Sequence, residues 1–242
     1  MRVLLLGGTG EARALAARLH PYVDIVSSLA GRVPNPALPV GPVRIGGFGG
    51  AAGLRNWLTD NGITAVIDAT HPFAATITVN GVSACRELGV PHLLLHRQPW
   101  EIDGALQVKS DIAAAETVAA KGYPRVFLTN GRSGLRPFAA ARAWFLIRVV
   151  TPPDPAVLPA EHQLLLSRGP YRYEGERALL AEHGIEALVT KNSGGEMTRA
   201  KLDAAHSLGI DVVMIEPPAP PSGLTIVHSV SDAASWALDQ PG

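Results

Sequence analysis

Residues 3–6 are four consecutive apolar side chains that stop at Gly7-Gly8-Thr9-Gly10, and a helical apolar period (Ala12, Leu15, Ala16, Leu19) starts at once. A short apolar run bounded by glycines reads as a buried strand, and the 3.6-residue period behind it as a helix. Gly7, Gly8 and Gly10 let the backbone bend sharply and approach a ligand closely. The amides of that turn, with Thr9 and Glu11 in it, then face a phosphate at a helix start. A strand, glycine turn and helix in this order point to a dinucleotide site. The spacing Gly8-x-Gly10-x-x-Arg13 fits two positions of the usual fingerprint and puts arginine at the third. Strand-to-helix glycine turns also serve as plain connectors, so the rest of the chain has to decide.

At 242 residues the chain has room for one large or two small domains, each with a real core. Hydrophobic residues make up 47%, yet no apolar run approaches the roughly 18 residues of a membrane span. Lysine plus arginine equals aspartate plus glutamate at 21 each, which argues against the broad positive field of a nucleic-acid binder. Basic chemistry here has to be local. The single cysteine, Cys85, lies in an apolar helical pattern and reads as a small buried side chain. No cysteine–histidine spacing suits a metal, and no positively charged leader precedes the first strand; the expectation is a disulfide-free cytoplasmic protein.

Strands are expected at 23–28, 43–45, 65–69 and 92–96, alternating with helices. The second of the chain's strands ends in Ser27-Ser28 and runs on to Gly31-Arg32, with no acid to accept from the ribose hydroxyl of NADH. Ser28 and Arg32 suit a 2′-phosphate instead, which favours NADPH; a solvated loop arginine is the plainer alternative. Gly46-Gly47-Phe48-Gly49-Gly50 makes a loop flat enough, at Gly47 above all, to lie against a cofactor or macrocycle, or simply a flexible turn. Asp68, Thr70 and His71 gather at the carboxyl end of a strand, where open α/β sheets hold ligands. There Thr70 faces the nucleotide, while His71 or Asp68 is the candidate proton donor, unless His71 merely bonds the backbone at a helix start with Pro72 in its first position.

Near residue 101 the pattern restarts. The expected division is a nucleotide-binding domain at 1–100 and a second α/β domain at 101–242, two doubly wound, Rossmann-like parallel sheets with a cleft between them. In the second domain three connections join glycine to a cation and polar donors: Thr129-Asn130-Gly131-Arg132, Ser167-Arg168-Gly169, and Lys191-Asn192-Ser193-Gly194. In a parallel sheet all three emerge on one edge and form a pocket for a ligand with several carboxylates or phosphates. Lys201, in the helix that follows, can contribute. No Ser-His-Asp order or Walker loop is present, so hydrolysis and phosphoryl transfer have no visible machinery.

In order and spacing these motifs resemble the precorrin-6A reductase family of cobalamin biosynthesis. The resemblance runs from Gly7-Gly8-Thr9 through Ser28-Leu29-Ala30-Gly31-Arg32, the glycine loop, Asp68-Ala69-Thr70-His71-Pro72 and Arg97-Gln98-Pro99-Trp100. It continues to Thr129–Arg132 and to Lys191-Asn192-Ser193-Gly194-Gly195 ahead of Lys201. It implies reduction of a double bond of the precorrin-6A macrocycle to precorrin-6B by a nicotinamide nucleotide. The substrate's acetate and propionate arms would account for Arg132, Arg168 and Lys191 in a protein without net charge. The serine–arginine pair and the NADPH preference lean toward the metal-free route. One departure is Glu216-Pro217, where an arginine–proline pair is expected; Glu216 is expected to turn away from an anionic ligand. Two lobes that form their own site need no partner, so a monomer is expected.

Two other classes compete. A nucleotide-dependent epimerase or dehydrogenase on a small sugar would use a tyrosine with a lysine four positions on, and none of Tyr22, Tyr123, Tyr171 or Tyr173 has one. A non-catalytic NADPH sensor would need a partner surface, and no stretch announces it.

Overall fold

The computed structural model describes residues 1–31 and 36–240. The chain runs through β1 (Arg2–Leu6), α1 (Gly10–Leu19), β2 (Asp24–Leu29), β3 (Val43–Ile45), α2 (Gly50–Asp60), β4 (Ala65–Asp68), α3 (Ala75–Leu88) and β5 (His92–Leu95). It continues with β6 (Leu106–Val108), α4 (Asp111–Lys121), β7 (Arg125–Leu128), β8 (Trp144–Val149), β9 (His162–Leu166), α5 (Tyr173–Glu182), β10 (Ala187–Lys191) and α6 (Ala200–Ser207). The last elements are β11 (Asp211–Ile215), β12 (Thr225–Val227) and α7 (Val230–Leu238). Two compact units result: Met1–Gln98 with the segment from Pro218 onward, and Pro99–Pro217.

The first unit holds a parallel sheet in the order β12-β5-β4-β1-β2-β3. The chain leaves β1 in one direction and returns on its other side with β4, so the connections after β1 and β4 flank the switch point. The apolar run of β1 feeds both faces of the sheet, because successive side chains of a strand alternate. Val3 and Leu5 pack with Leu15 and Leu19 of α1 and Ala233 and Ala237 of α7. Leu4 and Leu6 pack with Leu54 and Leu58 of α2 and Cys85 of α3. Burial pushes the Cys85 thiol up to about 12, with Asp68 adding to the shift, which suits a packed, unreactive cysteine.

The second unit repeats the plan with the parallel order β6-β11-β10-β7-β8-β9. Its switch point lies between β7 and β10. Phe127 and Leu146 of the sheet pack with Leu180 of α5 and Leu202 of α6 in one core, sealed at its edge by Trp100.

The structure corrects two expectations and adds a strand that the local pattern does not announce. Residues 218–240 do not belong to the second domain: β12 pairs with β5, and Ala233, Ala234 and Ala237 of α7 are fully buried in the core shared with α1. The first sheet needs that edge strand, and a chain that returns for it is invisible to local pattern. Conversely β6, too short and too polar at Gln107 to announce itself, follows the first unit's strands yet pairs with β11. Finally, Pro72 lies in a turn before α3, which starts at Ala75, because the Ala74 N–H bonds the His71 carbonyl at 2.7 Å and closes a separate turn.

Candidate functional site

In the first unit, Thr9 caps α1. Its Oγ1 accepts from the Ala12 amide at 3.1 Å and donates to the Ala69 carbonyl at 2.7 Å, so one hydroxyl clamps the glycine turn to the end of β4. The Gly7 amide is taken by the Ser28 carbonyl at 2.9 Å. Gly8 has φ of 112°, a conformation that L side chains rarely adopt, and a Cβ there would meet nothing within 4 Å. The space over Gly8 is open, and the first amides of a helix, here at Gly10 and Glu11, have no acceptor within it. A pyrophosphate fits this cradle. Glu11 would repel an anion, but its carboxylate pairs with Arg97 at 2.8 Å, both side chains being largely buried.

Ser28 is buried, and its Oγ accepts from Arg44 Nη1 at 3.3 Å. Arg32 lies outside the described residues. In the glycine loop, Gly46, Gly49 and Gly50 have φ of 125°, 80° and 89°, so three of the four glycines are demanded by the backbone. Gly47 is not; its carbonyl accepts from Arg44 Nη2 at 2.6 Å and the space at its Cα is open.

Asp68 is fully buried, and both its oxygens are in use. Oδ1 accepts from the Thr70 amide at 2.9 Å and the Thr70 hydroxyl at 2.7 Å, and Oδ2 accepts from the Thr78 hydroxyl at 2.6 Å. Asp68 therefore fixes the loop that carries His71. His71 is exposed, and its Nδ1 accepts from the Phe73 amide at 3.3 Å, which puts the proton of the neutral ring on Nε2. Beside it is a recess lined by Thr70, His71, Thr78, His96 and Pro220. Burial lowers the pKa of His96.

In the second unit, the loops after β7 and β10 flank the switch point, while Arg168 follows the edge strand β9. The Thr129 hydroxyl donates to the Val189 carbonyl at 3.1 Å and ties the end of β7 to β10. Gly131 and Gly194 have φ of 82° and 63°. Arg132 Nη1 donates to Thr151 Oγ1 at 3.2 Å at the surface. Lys191 Nζ stands 3.8 Å from Asp111 Oδ2, and Ser193 is buried, its amide bonded to the Lys191 carbonyl at 2.9 Å. Lys201 is 6% exposed, donates to the Thr198 carbonyl at 2.9 Å and lies 5.0 Å from the Trp100 ring. Glu216 pairs with Lys109.

The family described as Precorrin-6x reductase CbiJ/CobK matches residues 2–238. The chain belongs to this family. It is 64% identical over 240 residues to the precorrin-6A reductase of Mycobacterium tuberculosis, covering 99% of this chain and 98% of that protein. It is 51% identical over 245 residues to the precorrin-6A reductase of Rhodococcus erythropolis, with 97% and 96% covered. A solved structure titled CobK precorrin-6A reductase superimposes with a TM-score of 0.92 at 40% identity, over 99% of this chain and 96% of that one. As a member of this reductase family the chain is an oxidoreductase and needs a reduced nucleotide cofactor.

Several residues that shape these loops carry contacts that the sequence does not assign to them. Asp111 Oδ1 accepts from Asn130 Nδ2 at 2.8 Å while its other oxygen faces Lys191, so one carboxylate joins both switch-point loops. In sequence it looks like an ordinary acid in the first turn of α4. Asn192 and Trp100 exchange two hydrogen bonds, of 2.7 and 2.9 Å, and the Trp100 indole donates to the Gly195 carbonyl at 3.0 Å. Trp100 thus anchors the loop after β10, a contact 92 residues long in sequence.

Proposed function

We propose that this protein reduces a double bond of the precorrin-6A macrocycle to give precorrin-6B in cobalamin biosynthesis, with NADPH as the reductant. The observation that carries the reading is the open cradle over Gly8 at the switch point of the first sheet, one strand away from the Asp68–His71 loop. Bound there, the nicotinamide nucleotide supplies the hydride. Gly7, Gly8, Thr9, Gly10 and Glu11 hold its pyrophosphate side. Gly47 and Thr70 line its flank, and Ser28 and Arg32 are assigned to the 2′-phosphate.

The second unit takes the tetrapyrrole. Thr129, Gly131 and Arg132 after β7, and Lys191, Ser193 and Gly194 after β10, offer cations and amides to its carboxylate arms, and Arg168 adds a third cation. Lys201, held against Trp100, completes the set. His71 delivers the proton from Nε2, and Asp68 holds its loop. Each chain carries both sets of residues, so the protein acts as a monomer. Among the described residues no helix is long and apolar enough to cross a membrane, in keeping with work in the cytoplasm.

The test is oxidation of NADPH by the purified protein with metal-free precorrin-6A, with NADH and cobalt-precorrin-6A in parallel. Oxidation coupled to a shift in the macrocycle's absorption, fastest with NADPH and the metal-free ring, is the expected result. Equal rates with NADH would remove the cofactor assignment, and no turnover with either ring would remove the substrate.

A further inference from the structure

Arg44 stands beside Ser28. The two are register partners on neighbouring parallel strands, each one residue before its strand's carboxyl end. In a dinucleotide fold this end of the second strand is where the adenosine ribose is read, usually by an acid that accepts from the hydroxyls. Here the acid of β2, Asp24, is at the opposite end and pairs with Arg2 at 3.2 Å. Ser27 and Ser28 occupy the reading end, and a shallow recess beside it is lined by Gly7, Gly8, Arg13 and Ser27.

The guanidinium of Arg44 is held from three sides. Nη1 donates to Ser28 Oγ and to the Gly46 carbonyl, and Nη2 donates to the Gly47 carbonyl. One face lies 3.8 Å from the centroid of Phe48, which in turn meets Trp57 edge-on with centroids 5.5 Å apart. A guanidinium has five N–H donors. These contacts use three, two on Nη1 and one on Nη2, and the Nε hydrogen and the second Nη2 hydrogen have no acceptor among the described residues. Those are the donors left for a phosphate. The packing on Phe48 and the carbonyl anchors remove the rotamer freedom a free arginine would lose on binding.

Building on the NADPH reading above, we propose that Arg44, with Ser28, is a specificity-determining contact for the nucleotide's 2′-phosphate, additional to Arg32. Arg44 then serves two ends at once. It shapes the glycine loop with some of its donors and presents the others to the ligand. The position is legible only in three dimensions, because residue 44 is separated from the reading end of β2 by a long connection and meets it only through strand pairing.

Binding of NADPH, NADH and 2′,5′-ADP by calorimetry, to wild-type protein and to the Arg44→Ala and Arg44→Lys variants, tests this. Wild-type protein alone tests the NADPH reading: equal affinity for NADPH and NADH ends that reading before any variant is compared. With a wild-type preference in hand, Arg44→Ala is expected to weaken NADPH and 2′,5′-ADP by about 10- to 100-fold, the size of a charge-assisted pair. NADH should stay within about 2-fold, the scale of a lost neutral contact. Arg44→Lys, which keeps the charge but not the fork, should fall between. Retention of the wild-type preference by Arg44→Ala would overturn the assignment and leave the 2′-phosphate to another residue. Equal losses for NADPH and NADH, in a variant whose circular dichroism matches wild type, would overturn it too and reduce Arg44 to a loop staple.

Discussion

Arg148 and Glu176 meet through two hydrogen bonds, of 2.8 and 2.7 Å, in the interior of the second unit, each less than a tenth exposed. Tyr171 covers the guanidinium with its ring centroid 4.0 Å away, and Phe127 lies 4.8 Å away. A buried pair of this kind costs much to desolvate, so its removal one side at a time differs from its removal whole. Glu176→Ala strands a buried cation and should cost about 3–5 kcal/mol in denaturant unfolding. Arg148→Met with Glu176→Leu should cost far less than either single change predicts. A double variant as unstable as Glu176→Ala would show that the pair contributes net stability.

Lys201 gives a pH dependence of definite sign. Burial pushes its pKa down to about 8, while Glu176 raises it and Arg148 lowers it by smaller amounts. The folded value lies below the ordinary 10.5, so between pH 8 and 10.5 the unfolded chain holds a proton that the folded chain has released. Stability contributed by this group therefore rises with pH across that window, and the penalty is complete below pH 8. Lys201→Met should raise the melting midpoint at pH 7 by roughly 3–6 °C. The advantage should shrink as the pH rises to 10.5; a constant difference across that range would mean that Lys201 is solvated.

Asp68→Ala would leave two threonine hydroxyls and the Thr70 amide without their acceptor. The expected loss is about 2–4 kcal/mol of stability, together with a fall in turnover as the His71 loop loosens. His71→Ala touches none of those bonds, and should lower kcat by about 100-fold or more while leaving the melting midpoint in place. Calorimetric melting and single-turnover kinetics on both variants separate the two roles. An unchanged kcat for His71→Ala would assign the proton to another group.

The C-terminal segment offers a test of the fold. A chain ended after Pro217 keeps every residue of the second unit but loses β12 and α7, and with them the burial of Leu93, Leu95, Leu15 and Leu19 on one face of the first sheet. Hydrogen exchange should show protection lost across β1, β5 and α1 while β7 and β10 keep theirs. Full protection in β5 would mean that the first sheet closes on five strands.

Much of the first unit was legible in one dimension. A strand, a glycine turn and a helix are contiguous, and the backbone at Gly8 demands its residue type whatever surrounds it. The same holds for the loops at Thr129 and Lys191, where glycines, cations and donors follow a strand directly. What local pattern could not carry were roles set by pairing across the sheet. The bonds of Thr70 and Thr78 to both oxygens of Asp68 are one example. The burial of Lys201 beside Trp100 is another.

The sequence by itself determined that this is a two-part α/β protein, where each apolar run turns into a helix, and which family its ordered motifs resemble, because these rest on periodicity and neighbouring residues. The tertiary structure decided that each sheet takes its sixth strand from across the chain, that Asp111 joins the Asn130 and Lys191 loops, and that Arg44 stands at the end of β2. Those facts depend on hydrogen bonds between residues tens to more than a hundred positions apart, for which the free energy is set by the packed whole and leaves no mark on the local pattern.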